Sequence, residues 1–347
     1  MAAMVLKGHG GFDQLQWEGA WPTPEPGPGE VLIQVGACGL NNTDINTRTA
    51  WYAPEVEGGI TESVGQEGLT VENTTAATWG GEALSFPRIQ GADVAGRIVT
   101  VGAGIAESRI GERVLCDPWI FRGGQALYLG SELDGGFAEY CAVPAENAHA
   151  LETSLSDAEL AAFPCALSTA ENLVAKTNLQ PGERVAISGA SGGVGAYAVQ
   201  LCKLRGAHVT ALASPSKHAT LQALGADAVL DRDGTGLGEI DVALDVVGQG
   251  IFDTLIEALR TGGRYSTSGA IAGAQVDFDL RQLIYKDLQF TGATIIPVGT
   301  FARLIRLIET GKLQANLAAT FPLQDLVAAQ EAFLSKAHAG KIVVTCA

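Results

Sequence analysis

At 347 residues the chain is long enough for two domains, because a single hydrophobic core seldom grows past about 250–300 residues. Its 47% apolar content and mean hydropathy of +0.18 describe an ordinary globular protein, and no apolar run approaches the ~18 residues a membrane span needs. A net charge of −16 without any Arg/Lys-rich tract argues against nucleic acid and anionic membranes as main partners.

Residues 1–7 lack the layout of a secretory signal, so a cytoplasmic location is expected. The six cysteines (Cys38, Cys116, Cys141, Cys165, Cys202 and Cys346) include no C-x-x-C pair. A disulfide framework is therefore not expected, and a four-cysteine zinc site is excluded by spacing.

In chain order, "WPTPEPGPGE" (21–30) is a stiff turn that leads into an apolar strand at 31–35. Further turn-bounded strands at 94–102, 111–116 and 135–143 predict an all-β, barrel-like unit. Residues 53–86, poor in apolar side chains, read as a long loop, with a lid as one use for it. From about residue 155 the texture changes. Helix-like runs at 156–162 and 168–177 precede strand 184–188, helix 194–205, strand 208–213, helix 216–224 and strand 228–230. That alternation is the mark of an α/β chain with a doubly wound parallel sheet. Residues 300–310 and 323–336 read as helices, and a final strand at 341–346 is expected to return to the first domain.

"SGASGGVGAYAVQ" sets a glycine-rich turn between a buried strand and a helix. Ser191, Gly192, Gly193 and Val194 form the turn, where Gly192 and Gly193 let backbone approach a pyrophosphate and the helix N-terminus offers free N–H groups. Gly195 lets the helix pack on the strand. The spacing Ala190-x-Gly192-x-x-Gly195 departs from strict G-x-G-x-x-G at its first position, and a glycine turn of some other α/β fold is the alternative; the surrounding βαβ pattern favours a dinucleotide. An acid at the end of the second strand would bind the ribose 2′-hydroxyl of NAD. Here the strand ends at Ala213 and Ser214, with Lys217 close behind and Arg232 after the third strand. A hydroxyl and two cations suit a 2′-phosphate, so NADPH is the expected cofactor; each cation taken alone reads equally as a solvated surface charge.

These residues have a family likeness. "GASGGVG" after "PGERV", with "LDGGFAEY" and "GADVAG" upstream and "GKIVV" at the end, resembles the medium-chain dehydrogenase/reductase superfamily over nearly the whole chain. The resemblance implies a GroES-like catalytic domain at 1–154 completed by 298–347, a Rossmann domain at 155–297, and an active site in the cleft. Zinc members carry ligands in "G-I-C-G-T-D" and "G-H-E" and at a further cysteine. This chain places Asn41, Ala92 and Cys165 at those positions, so the resemblance implies the zinc-free, quinone oxidoreductase-like branch. Cys38 is one position off an expected contact and reads as a packed core cysteine.

Without a metal, the chemistry shifts toward reducing double bonds conjugated to a carbonyl, where the developing charge delocalises and a proton donor or a few hydrogen bonds suffice. "NNTDINTRTAWY" also resembles the segment of 2-enoyl thioester reductases in which a tyrosine gives the proton. That likeness implies Tyr52 as donor; an aromatic packing residue is the other reading. Asn41 is expected beside the nicotinamide, or as a turn-stabilising residue. Asp44 and Asn46 would orient Tyr52, with helix capping as the plainer role for Asp44. Thr169, Ser268 and Gly269 match the family's cofactor contacts. Trp79 and Phe86 are candidate walls for a flat ring, or simply loop anchors. The five histidines, His9, His149, His208, His218 and His338, fall in no constellation.

Three functions remain open from the sequence. The favoured one is an NADPH-dependent, zinc-independent reductase of quinones, enones or enoyl thioesters. The others are an alcohol or aldehyde dehydrogenase that recruits a metal through Cys165, and a non-catalytic, crystallin-like NADPH binder. A homodimer formed through the Rossmann sheet edge near 291–297 is also expected.

Overall fold

Strand β1 (Ala3–Leu6) pairs antiparallel with β2 (Leu15–Glu18), and the proline-rich turn then delivers β3 (Glu30–Gly39). Helix α1 (Asn42–Arg48) and the short α2 (Glu62–Glu67) precede β4 (Arg88–Ile89), β5 (Asp93–Val101), β6 (Arg113–Cys116) and the hairpin β7 (Trp119–Arg122)–β8 (Gln125–Tyr128). After these come β9 (Tyr140–Pro144), β10 (Ala148–Ala150), α3 (Asp157–Leu160) and α4 (Pro164–Lys176). Next is an alternating series: β11 (Arg184–Ile187), α5 (Gly193–Leu204), β12 (His208–Leu212), α6 (His218–Ala223), β13 (Ala228–Leu230), β14 (Ile240–Asp245), α7 (Phe252–Ala258), β15 (Leu259–Thr267), α8 (Leu280–Tyr285) and β16 (Gln289–Gly292). The chain closes with α9 (Thr300–Glu309), β17 (Leu317–Pro322), α10 (Leu326–Leu334) and β18 (Lys341–Thr345). This computed structural model describes residues 1–71 and 84–346; Trp79 lies outside them.

Packing divides the chain into two units. The first comprises Met1–Val56, Thr61–Cys165 and Gly299–Ala347. Its main sheet runs β10-β6-β5-β3-β18-β17, with β9 also on β3. The C-terminal strand enters because β18 pairs antiparallel with β3, Val344 opposite Cys38. Cys38 is fully buried there, as a packed cysteine should be.

The second unit comprises Ala166–Val298 together with Glu57–Ile60. Its six strands are all parallel, in the order β13-β12-β11-β14-β15-β16. Numbered from β11 this is the 3-2-1-4-5-6 order of a dinucleotide-binding sheet, so the α/β reading stands.

Three details differ from expectation. Residues 155–165 pack with the first unit, not the second, because the Asp157 carboxylate takes Arg113 of β6 at 2.6 Å. Residues 53–86 are not wholly loop: Thr61 accepts the Val64 N–H and caps α2, whose polar composition hid it. Residues 57–60 go with the second unit, where Gly58 bridges to Gly273.

Candidate active site

In the second unit the glycine turn follows β11, and α5 starts at Gly193 with Gly192 as its N-cap. A Cβ at Gly195 would meet Gly189 O at 2.4 Å and Ala190 Cα at 2.5 Å, so only glycine lets the helix sit this close to the turn. A Cβ at Gly192 would meet only Gly189 O, at 3.5 Å, which leaves its backbone face open. Ser191, Gly193 and Val194 are half-buried around it. An exposed turn ahead of a 12-residue helix, beside the point where strand order reverses between β11 and β14, fits a pyrophosphate.

A buried network not anticipated from the sequence orders this crevice. Asp245, at the end of β14 and fully buried, accepts the Tyr265 hydroxyl at 2.6 Å, the Ser188 hydroxyl, and the backbone N–H groups of Val247 (2.8 Å) and Gly248 (3.1 Å). Burial, then the charge of Asp245, pushes the Tyr265 phenol up. "LDVVG" is the one sequence signal for the turn. Ser268 N–H donates to Asp245 O at 3.3 Å, which places Ser268 and Gly269 at the same end of the sheet; Thr169 is half-buried on α4.

At the far strands, Ser214 caps the turn after β12 and Lys217 ends it. Lys217 is half-buried and Arg232 exposed. Burial first, and then the charge of Arg232, holds the Lys217 ammonium below its ordinary value. The two cations are thus near enough for one to feel the charge of the other, and the His218 ring lies 3.6 Å from Asp231.

The first unit holds the other cluster. Asn41 is the N-cap of α1, and its backbone N–H donates to the Asp44 carboxylate at 2.7 Å, half of a capping box. The Asn41 side chain is fully engaged. Its amide NH₂ donates to Asp93 Oδ2 at 2.9 Å, and its carbonyl accepts from Lys341 Nζ. Lys341, 2% exposed on β18, also donates to Leu40 O and, at 2.8 Å, to Asp93 Oδ2. The second oxygen of Asp93 accepts the Cys165 N–H at 2.6 Å. This closed ring of a carboxylate, an amide and an ammonium pins β3, β5, β18 and the start of α4 together. Lys341 escaped sequence reading because its partners lie 248 to 301 residues away.

Asp44, in the first turn of α1, is buried, and burial pushes its carboxyl up to about 7 against the opposing pull of the Asn41 N–H and the Lys341 ammonium. Helix α1 ends in a left-handed turn: Ala50 has φ 62°, Trp51 N–H returns to Asn46 O at 2.8 Å and Ala50 N–H to Thr47 O. This is a Schellman close with alanine in the position glycine usually takes. It brings Tyr52 back along the helix, where the Thr43 and Asn46 side chains hydrogen-bond its phenol oxygen. Burial still pushes the phenol up, and the neighbouring Cys165 and Asp44 add to that. Phe86 packs edge-on against His9, 4.8 Å between ring centres.

The residues do not fit a catalytic zinc. Of the three ligand positions, Asn41 is spent on Asp93 and Lys341, Ala92 has no ligating atom, and Cys165 supplies a single thiol. Among the described residues no group of three or more His, Cys, Asp or Glu is arranged around a common point.

A glycine cradle on a 3-2-1-4-5-6 sheet and a separate barrel-like unit carrying a buried acid–amide–phenol cluster define a nicotinamide-dependent oxidoreductase. The family model described as alcohol dehydrogenase GroES-like domain matches residues 27–153, and that described as zinc-binding dehydrogenase matches residues 193–310. A solved structure of a candidate alcohol dehydrogenase from Sinorhizobium meliloti 1021 is 41% identical over 99% of this chain and 96% of its own, with a TM-score of 0.88. The cobalt- and zinc-bound thermostable alcohol dehydrogenase from Pyrobaculum aerophilum is 32% identical over 100% and 99%, with a TM-score of 0.83. Acryloyl-coenzyme A reductase from Metallosphaera sedula is 27% identical over 99% of this chain and 100% of its own. The chain belongs to the medium-chain dehydrogenase/reductase superfamily.

Proposed function

We propose that this chain is an NADPH-dependent, zinc-independent reductase of double bonds conjugated to a carbonyl, in enoyl thioesters, enones or quinones. The observation that carries the reading is the make-up of the first unit's cluster. Where zinc members hold ligands, this chain has an amide locked to Lys341 and Asp93, an alanine and a single thiol, and the phenol of Tyr52, hydrogen-bonded to Thr43 and Asn46, feels the charge of that thiol. The likeness to an acryloyl-coenzyme A reductase along the whole chain supports the substrate class.

The open face of Gly192 and the N-terminus of α5 receive the pyrophosphate, and Ser214, Lys217 and Arg232 receive the 2′-phosphate. When bound, the reduced nicotinamide supplies a hydride. Tyr52 supplies the proton for the carbon next to the carbonyl, and Thr43 and Asn46 steady the phenolate left behind until water reprotonates it. Asn41 and Asp44 act as positioning residues that fix the start of α1 and so the place of Tyr52.

An alcohol dehydrogenase is the second reading, favoured by the names of the two solved relatives. Metal analysis joined to an NADPH-oxidation screen over enoyl-CoA esters, enones and quinones separates the two. The reductase reading expects turnover by protein without stoichiometric zinc. Stoichiometric zinc with alcohol oxidation overturns it.

A further inference from the structure

Tyr128 has no part in the reading above, yet it hydrogen-bonds the thiol whose charge Tyr52 also feels. It ends β8, and its ring packs edge-on against Trp119 of β7, 5.0 Å between centres. The hairpin is clamped at its base. Asn147 Nδ2 donates to Trp119 O at 2.8 Å and to Asp117 O at 3.0 Å, Leu129 N–H donates to Pro118 O at 3.0 Å, and Tyr128 N–H donates to Glu132 Oε2 at 3.0 Å. The Tyr128 ring is therefore held in one place, 6% exposed, with its hydroxyl hydrogen-bonded to the Cys165 thiol.

Cys165 in turn is half-buried and fixed through its N–H to Asp93, and the Tyr52 phenol responds to it as well. Tyr128 hydrogen-bonds the thiol, and Tyr52 and Tyr128 both feel the charges of Cys165 and Asp44, so the two phenols, from separate stretches of chain, belong to one buried cluster. Sulfur is a weak acceptor, so a carbonyl oxygen arriving beside Cys165 is the better partner for a phenol already aimed there. The two phenols also differ in surroundings. Tyr52 receives hydrogen bonds from Thr43 and Asn46 that favour its phenolate. Tyr128 faces burial, the thiol and the carboxylates of Asp93 and Asp44, all of which keep its proton in place.

We propose that Tyr128 is a second catalytic hydroxyl, one that donates a hydrogen bond to the carbonyl oxygen of the conjugated substrate while Tyr52 delivers the proton to carbon. The proposal rests on the reductase reading. Across the C=C bond two hydrogens are added. The hydride goes to the carbon remote from the carbonyl, and the π pair moves to make an enolate whose oxygen Tyr128 holds. The proton from Tyr52 then closes the α-carbon, and water restores the phenol. Tyr128 itself loses no proton.

The test uses the full chain and 4-phenyl-3-buten-2-one, an aryl enone, as probe. Its carbonyl stretch is read by Raman difference spectroscopy with NADP⁺ bound, beside steady-state rates and thermal melts. The proposal expects a lowered carbonyl frequency on wild type, its loss in Tyr128→Phe and its retention in Tyr52→Phe. It also expects kcat of Tyr128→Phe to fall about a hundredfold, as for removal of one oxyanion donor, with the melting temperature unchanged. Retention of the lowered frequency in Tyr128→Phe overturns the proposal whatever happens to rate or stability. If wild type neither binds nor reduces this probe or any other conjugated carbonyl, the reductase reading falls and takes the proposal with it. That failure is visible before any variant is compared.

Discussion

Among single residues, Tyr52 bears the chemistry and Asp44 bears the pH dependence. Tyr52→Phe keeps the ring beside Trp51 but removes the proton, so kcat should fall by about a hundredfold or more with NADPH affinity unchanged by titration. An unaltered rate would remove Tyr52 from the mechanism. The buried Asp44 carboxyl, near 7 against an ordinary 3.8, binds a proton in the folded state that the unfolded chain lacks between those values. Its contribution is thus fully present below about pH 4 and is lost as pH rises through 7; Asp117, pushed up to about 7 by burial, has the same sign. Melting temperature should therefore decline from pH 5 to 8, and Asp44→Asn should flatten part of that decline; an identical slope in the variant would contradict the assignment. Removing one member of the Asp93–Lys341 pair should cost about 3–5 kcal/mol, because the other is left charged and buried. A denaturant titration of Lys341→Met measures it. The sequence showed Asn41 where a ligand belongs, and the zinc-independent reading starts from that residue. It could not show that the amide is consumed by Lys341, since nothing local in "GKIVV" distinguishes a buried ammonium from a solvated one.

The elements that hold these residues were legible to different degrees, for physical reasons. Strands and helices of the second unit repeat at the periods of a βαβ chain, so β11 through β13 and α5 fall within a residue or two of where the pattern puts them. Helix α1 was hidden because "NTDINTR" has no apolar stripe; its capping box and its Schellman close define it instead. Arg48, fully buried at its end, ties α1 to Gly10 O (2.9 Å), Gly65 O (2.6 Å) and Gln330 Oε1 (3.1 Å), a long-range anchor that no pattern announces. The turn after β12 carries its own prediction. If Lys217 and Arg232 bind a 2′-phosphate, Lys217→Ala should weaken NADPH about tenfold and leave NADH unchanged. Equal weakening of both cofactors would refute that site.

For the whole molecule, the apolar residues left on the second unit are informative. Strand β16 is the edge of its sheet, and beside it Leu280, Ile284, Tyr285 (75% exposed), Ile295 and Val298 (80% exposed) lie open to solvent. An uncovered edge with this much apolar surface invites pairing with a second copy. We expect a homodimer, and light scattering should find Tyr285→Glu with Val298→Glu monomeric; a monomeric wild type would contradict it. A change of texture near residue 155 announced a second unit, but packing puts its start at Ala166. The placement of α3 was not announced, because it depends on Asp157 reaching Arg113 across more than forty residues. The central claim is reduction of conjugated carbonyls by a phenol-bearing site without a metal. Its most direct test is the rate of NADPH oxidation with an enoyl-CoA ester, measured on chelator-dialysed protein whose metal content is determined on the same sample. The account predicts full activity at far less than one zinc per chain, whereas activity that disappears with the metal and returns with added zinc would contradict it.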